Sequence, residues 1–143
     1  MSRRNLVRLV TLCGMLVASA GPSEAAGLTV LAEALEPRGS LVVAVFDSDA
    51  AWRARKAPVR RAVIEVTQPA ARATFADLPP GRYAIMAYHD RNGDGRLNTL
   101  PIGLPTEPYG FSNGARGSFG PPSWRAASFE ASSSGAMQAL RLR

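Results

Sequence analysis

The sequence predicts an all-β sandwich, and three observations carry that prediction. Short apolar runs with alternating faces recur along the chain. Clusters of Gly, Pro, Ser, Asn and Asp separate most of them. Only one short stretch has the composition of a helix. Strands of this length with frequent turn signals are the pattern of two packed sheets.

The chain has 143 residues and a net charge of +6, which sets the expectation of one domain. Its start has the layout of an export signal. Arg3, Arg4 and Arg8 form a positive region, Leu9 to Ala18 is apolar, and Ser23-Glu24-Ala25 is a small-x-small cleavage site. The apolar run is too short for a membrane span. Cleavage near residue 26 leaves a single expected domain over 27–143, periplasmic or secreted. The paired arginines fit a Sec signal or a twin-arginine signal. Cys13, the one cysteine, lies within this leader, so disulfide and thiol chemistry are excluded from the mature chain. Losing Arg3, Arg4, Arg8 and Glu24 takes the net charge from +6 to +4. Export removes nucleic acid as a partner. The basic cluster Arg53, Arg55, Lys56, Arg60 and Arg61 is then a solvated face or a contact for an anionic envelope surface.

Leu28 to Leu35 is the first expected strand, ended by Glu36-Pro37-Arg38-Gly39. Ser40 to Phe46 is apolar on both faces and is therefore expected at the centre of a sheet. Asp47-Ser48-Asp49 is placed to cap a helix over 50–57, pinned by Trp52 and stopped by Pro58. Strands follow over 59–67 and 71–75, and the Pro79-Pro80-Gly81 turn feeds the alternating run Tyr83 to Tyr88. Residues 90–123 lack periodicity, and a loop that long in a small domain is functional or packed on itself. The chain closes with strands over 126–131 and 136–142, joined by Ser132-Ser133-Ser134-Gly135 as a terminal hairpin.

The long loop opens on His89-Asp90-Arg91-Asn92-Gly93-Asp94-Gly95-Arg96-Leu97-Asn98. Oxygen side chains at alternate positions followed by Gly match the opening of a calcium loop, in which those side chains converge on one ion. Asp90, Asn92, Asp94 and Asn98 would supply side chains and Arg96 its carbonyl. Position 12 of such a loop is Pro101 rather than a bidentate Glu, and an alternating strand precedes it, so it is not an EF-hand. Glu107 is the nearest substitute if the loop folds back. A metal-free turn built on Asn-Gly and Asp-Gly accounts for the same residues. Arg91 and Arg96 would weaken any cation's hold.

Glu107-Pro108-Tyr109-Gly110-Phe111-Ser112-Asn113 sets aromatics among Gly and Pro. Tyr109 and Phe111 either anchor the loop or form a stacking surface for a peptide or glycan, with His89, Glu107 and Asn113 as polar contacts. His89 is the sole histidine. A hydrolytic pairing with Ser112 or Ser118 lacks a G-x-S-x-G elbow, and one His without a mature Cys is too few ligands for zinc catalysis.

Two resemblances follow from these residues. Phe75-Ala76-Asp77-Leu78-Pro79-Pro80-Gly81-Arg82-Tyr83 resembles the F-x-D-L-P-P-G-x-Y pattern of transthyretin-like and carboxypeptidase-regulatory-like sandwiches. Counting along the chain gives about seven strands, one long loop and at most one short helix, and the resemblance implies an Ig-like or transthyretin-like Greek-key layout for them. The run 78–113, with H-D-x-N-G-D-G-x-L and I-G-L-P-T-E-P-Y-G-F-S-N, resembles the DUF2141 family of bacterial exported proteins. Gly39 to Asp47 and Gly120-Pro121-Pro122-Ser123-Trp124 fit the same family. Where that family commonly has L-D-T-N, this chain has Leu97-Asn98-Thr99-Leu100, so a cation there would be held less well.

The expectation is an exported, monomeric, non-enzymatic binding or accessory module of the cell envelope, with Ca²⁺ in the 90–98 loop as its one candidate cofactor. Its partner would be an envelope protein, a peptide or a glycan. The alternative is a small hydrolase or isomerase using His89, Asp90 and Glu107, which requires those side chains to converge. A third reading makes the Arg53–Arg61 cluster a docking surface of an outer-membrane assembly.

Overall fold

The computed structural model describes residues 26–143, so the expected export signal, with Arg3, Arg4, Arg8 and Cys13, lies outside the described residues. The chain is all-β, with eight strands in two sheets among the described residues where about seven were expected. They are β1 (Ala26–Glu33), β2 (Ser40–Phe46), β3 (Arg60–Glu65), β4 (Ala70–Leu78), β5 (Gly81–Asp90), β6 (Tyr109–Phe111), β7 (Phe129–Ala131) and β8 (Ala136–Arg141). One sheet has the order β4-β1-β8 and the other β3-β2-β5-β6, with β7 also paired to β5.

The main core lies between the sheets. Leu28, Val30 and Ala32 of β1 and Leu140 of β8 meet Leu41, Val43 and Val45 of β2 and Tyr83, Ile85 and Ala87 of β5. Each set has period two, so each strand sends one face inward. As its two apolar faces require, β2 is central, paired with β3 on one side and β5 on the other. Phe75 and Leu78 close one end of this core, and the Tyr83 hydroxyl donates to the Pro79 carbonyl at 2.6 Å.

A second apolar cluster covers the outer face of the larger sheet. Phe46, Trp52, Ala84, Phe111 and Ala127 are buried there. Trp52 comes from helix α1 (Asp49–Ala54), whose N-terminus Ser48 caps by accepting from Ala51 N–H. The indole ring meets Phe46 and Phe111 edge-on, with centroids 5.6 and 5.8 Å away, and its N–H donates to the Pro122 carbonyl at 2.8 Å. The long loop is thereby folded against the sheet.

Three expectations are corrected. Helix α1 ends before Pro58, because Arg55 adopts a left-handed conformation and closes the cap. A second short helix exists, α2 (Trp124–Ala127), capped by Ser123, and Ser112–Gly114 forms a 3-10 turn, so the limit of one helix fails. The terminal hairpin is not a two-stranded unit. Ser132 and Gly135 bridge across the turn, but β7 pairs antiparallel with β5 while β8 runs parallel to β1 in the other sheet. Among the described residues no helix is long and apolar enough to cross a membrane.

Candidate functional site

The 90–107 loop is organised by two buried carboxylates. β5 delivers Asp90 opposite Ser40 at the end of β2. Gly39 makes that approach possible: at φ +65°, its Cβ position would lie 2.9 Å from Arg91 Cα and closer still to the Asp90 carbonyl. Asp90 Oδ1 accepts from the N–H groups of Gly93 (2.8 Å) and Asp94 (3.2 Å), and Oδ2 from that of Gly95 (2.7 Å). Gly93 and Gly95 have positive φ, which turns these donors inward. Glu107 folds back as the compact loop required, accepting from the N–H groups of Arg91 (2.8 Å) and Asn98 (3.0 Å). It thus ties the two arms of the loop together across their bases.

The expected metal-ligating side chains come into one loop, but both Asp90 oxygens are taken by backbone N–H groups, and Asn92, Asp94 and Asn98 bond to one another. Asp94 Oδ1 accepts from Arg96 N–H at 2.9 Å, and Oδ2 from the amides of Asn98 (2.7 Å) and Asn92 (3.3 Å). The Asn98 amide foremost, then the Arg96 N–H, holds the Asp94 carboxyl below the usual carboxylate range. Both asparagines present nitrogen to Asp94, so an ion here would require their amides to rotate. Among the described residues, no three His, Cys, Asp or Glu side chains group as a metal site. Tyr88, whose hydroxyl donates to the Gly95 carbonyl at 2.9 Å, braces the turn; burial raises its pKa against the opposing effect of Arg61.

His89, Asp90 and Glu107 are all buried, and no hydrogen bond links them to one another. His89 continues the inward face of β5. Its Nε2 is 2.7 Å from the Arg38 carbonyl and therefore donates, while Nδ1 has no partner. Ser112 is also fully buried: its hydroxyl accepts from Ile85 N–H at 2.8 Å and donates to the Ala127 carbonyl at 2.6 Å. These groups hold the backbone of the strand ends and the loop.

The remaining expected contacts divide. Phe111 is buried against Trp52, and Tyr109 packs edge-on to Phe111 at 5.7 Å while staying half-exposed. Asn113, left-handed at φ 59°, donates its amide to the Ser128 carbonyl at 2.9 Å and its N–H to Gln138. The Arg53–Arg61 cluster is partly engaged, with Arg53 on Asp49 and Arg60 on the Asp77 carbonyl.

A feature that sequence reasoning missed lies beside Tyr109. Tyr109 and Arg143 exchange backbone hydrogen bonds at 3.1 Å, bringing β6 against the end of β8. A groove of about 330 Å³ opens there, lined by Tyr109, Gly110, Arg116, Ala139, Arg141 and Arg143 among others. The available signal was the period-two set Ala139, Arg141 and Arg143, one outward strand face carrying two of the three arginines.

A model of the family described as "Uncharacterized protein conserved in bacteria (DUF2141)" matches residues 31–138. No curated protein and no solved structure matches the chain.

Proposed function

We propose, from the premise that this chain belongs to the DUF2141 family, that it is an exported, non-enzymatic binding or accessory module of the cell envelope. Its sandwich is read as transthyretin-like on the Phe75–Tyr83 pattern, and its working surface as the segment 90–123. The supporting observation is that Asp90 and Glu107, the two carboxylates best placed for chemistry, each accept backbone N–H groups of the loop. Groups bound in this way stiffen a surface for recognition. Stiffening before contact lowers the entropy lost on binding.

Calcium belongs to this reading as a weak reinforcement of the 90–98 loop. Asp94 is its exposed carboxylate, with Asn92 and Asn98 alongside, and the Arg96 carbonyl would join them. The described residues carry a net positive charge, which favours anionic envelope components as partners.

The test is export with retention of a folded domain. The full chain, expressed in a bacterium with a periplasm, is expected in the periplasmic or secreted fraction with a new N-terminus near Gly27. Replacing Arg3, Arg4 and Arg8 by Gln should hold it uncleaved in the cytoplasm. An uncleaved wild-type chain that stays cytoplasmic would refute the proposal.

A further inference from the structure

We infer that the groove between β6 and the end of β8 binds a small organic anion, with a carboxylate or phosphate head and a flat apolar body. This inference is independent of export and of calcium.

The cationic side is built by topology. Arg141 ends β8 and Arg143 follows two residues on, both lining the groove, and Arg116 reaches it from the loop after the 3-10 turn. Among the described residues no acidic side chain lines the groove. Among the described residues none of these three arginines forms an ion pair, whereas Arg38, Arg53, Arg82 and Arg91 all do. Three guanidinium groups lining one cleft attract an anion more strongly than one does. Guanidinium forks fit the paired oxygens of carboxylate and phosphate.

The apolar side is rigid. Tyr109 rests edge-on against Phe111, and Phe111 against buried Trp52, so the ring wall is anchored to the second core. The floor is Gly110, where an added Cβ would stand 2.9 Å from Leu142 Cδ2 and 3.3 Å from the Arg141 carbonyl. A side chain at that position would press on Leu142 and the Arg141 backbone, so glycine lets β6 lie close against the end of β8. An aromatic wall, a backbone floor and a cationic rim together suit a ligand with one charged end.

The test is an amide-resolved NMR titration of the folded domain at low salt, with phenyl phosphate and benzoate as probes. At least one should give saturable shifts at Gly110, Gly114 and Gly117, and the tighter of the two identifies the preferred head. Inorganic phosphate and benzyl alcohol, each lacking one half of the ligand, should bind about tenfold more weakly. Arg116→Gln alone should weaken binding about tenfold, and R116Q/R141Q/R143Q should abolish it. The control R55Q/K56Q/R125Q removes the same charge elsewhere and should leave affinity within about twofold. The inference is overturned if neither probe moves those glycines, if inorganic phosphate binds as tightly as phenyl phosphate, or if the control triple weakens binding as much as the groove triple. Melting curves of all variants establish that each remains folded, and the single Arg116→Gln variant carries the test should the triple not fold.

Discussion

Glu107→Gln is the sharpest probe of how the loop is held. The substitution keeps size and shape but leaves one oxygen where the native carboxylate has two. Native Glu107 is 7% exposed and accepts from Arg91 N–H at 2.8 Å and Asn98 N–H at 3.0 Å. Two charge-assisted bonds stabilise by about 3–6 kcal/mol together, and glutamine retains one neutral bond of about 1 kcal/mol. Its NH₂ group then confronts the other N–H donor. The expected loss is about 3 kcal/mol, concentrated in the loop because the sandwich core does not depend on this residue. Native-state hydrogen exchange reads the effect directly. The Arg91 and Asn98 amides should exchange roughly 100-fold faster, while amides of β2 change far less. Less than a threefold change at both amides would refute the account of Glu107 as the tie between the loop's arms.

Three further outcomes are expected. Gly39→Ala forces a left-handed alanine and drives its methyl group into the Asp90 backbone; the cost is about 3 kcal/mol, read as a lower urea midpoint with unchanged slope. Because the Asp94 carboxyl is held below its ordinary value near 3.8, its contribution is present above that value and is lost as pH falls through the lower folded value. Below about pH 4, loop amide protection should therefore fall in the native chain, and Asp94→Asn should flatten that dependence. Calcium at about 10 mM, acting on a site with Kd of about 1 mM, should stabilise by about 1.4 kcal/mol, with magnesium weaker. A melting temperature unmoved by calcium removes the ion from the proposed function.

Much of the fold was legible because burial leaves periodic traces. The two apolar faces of Ser40 to Phe46 predicted a central strand, and the alternation of Tyr83 to Tyr88 correctly divided β5 between core and outer face. Trp52 as a pin and Ser48 as part of a cap were legible as local chemistry. Sheet membership was not. The Ser132–Gly135 signal specifies a tight turn, and the same turn serves a hairpin or a chain that changes sheets. Helix α2 has four residues, too few to show a period. The loop chemistry was half legible: Glu107 does fold back, yet it meets N–H groups instead of joining the oxygens of Asp90 and Asp94. The groove could not be read locally, since Arg116 and Arg141 reach it through tertiary contacts, Tyr109 with Arg143 and Asn113 with Gln138.

The parallel match of β8 to β1 sets a constraint on assembly. β1 holds the middle place in its sheet, between β4 and β8, and β8 is the last of the described strands in chain order. Until residues 136–141 arrive, one flank of β1 offers a row of unpaired donors and acceptors. Such a bare flank recruits strands from other molecules. Joining β1 to β8 also pairs Leu28 with Ala136, a long-range contact of the kind that folds slowly. A chain cut short before Ala136 should therefore self-associate rather than fold.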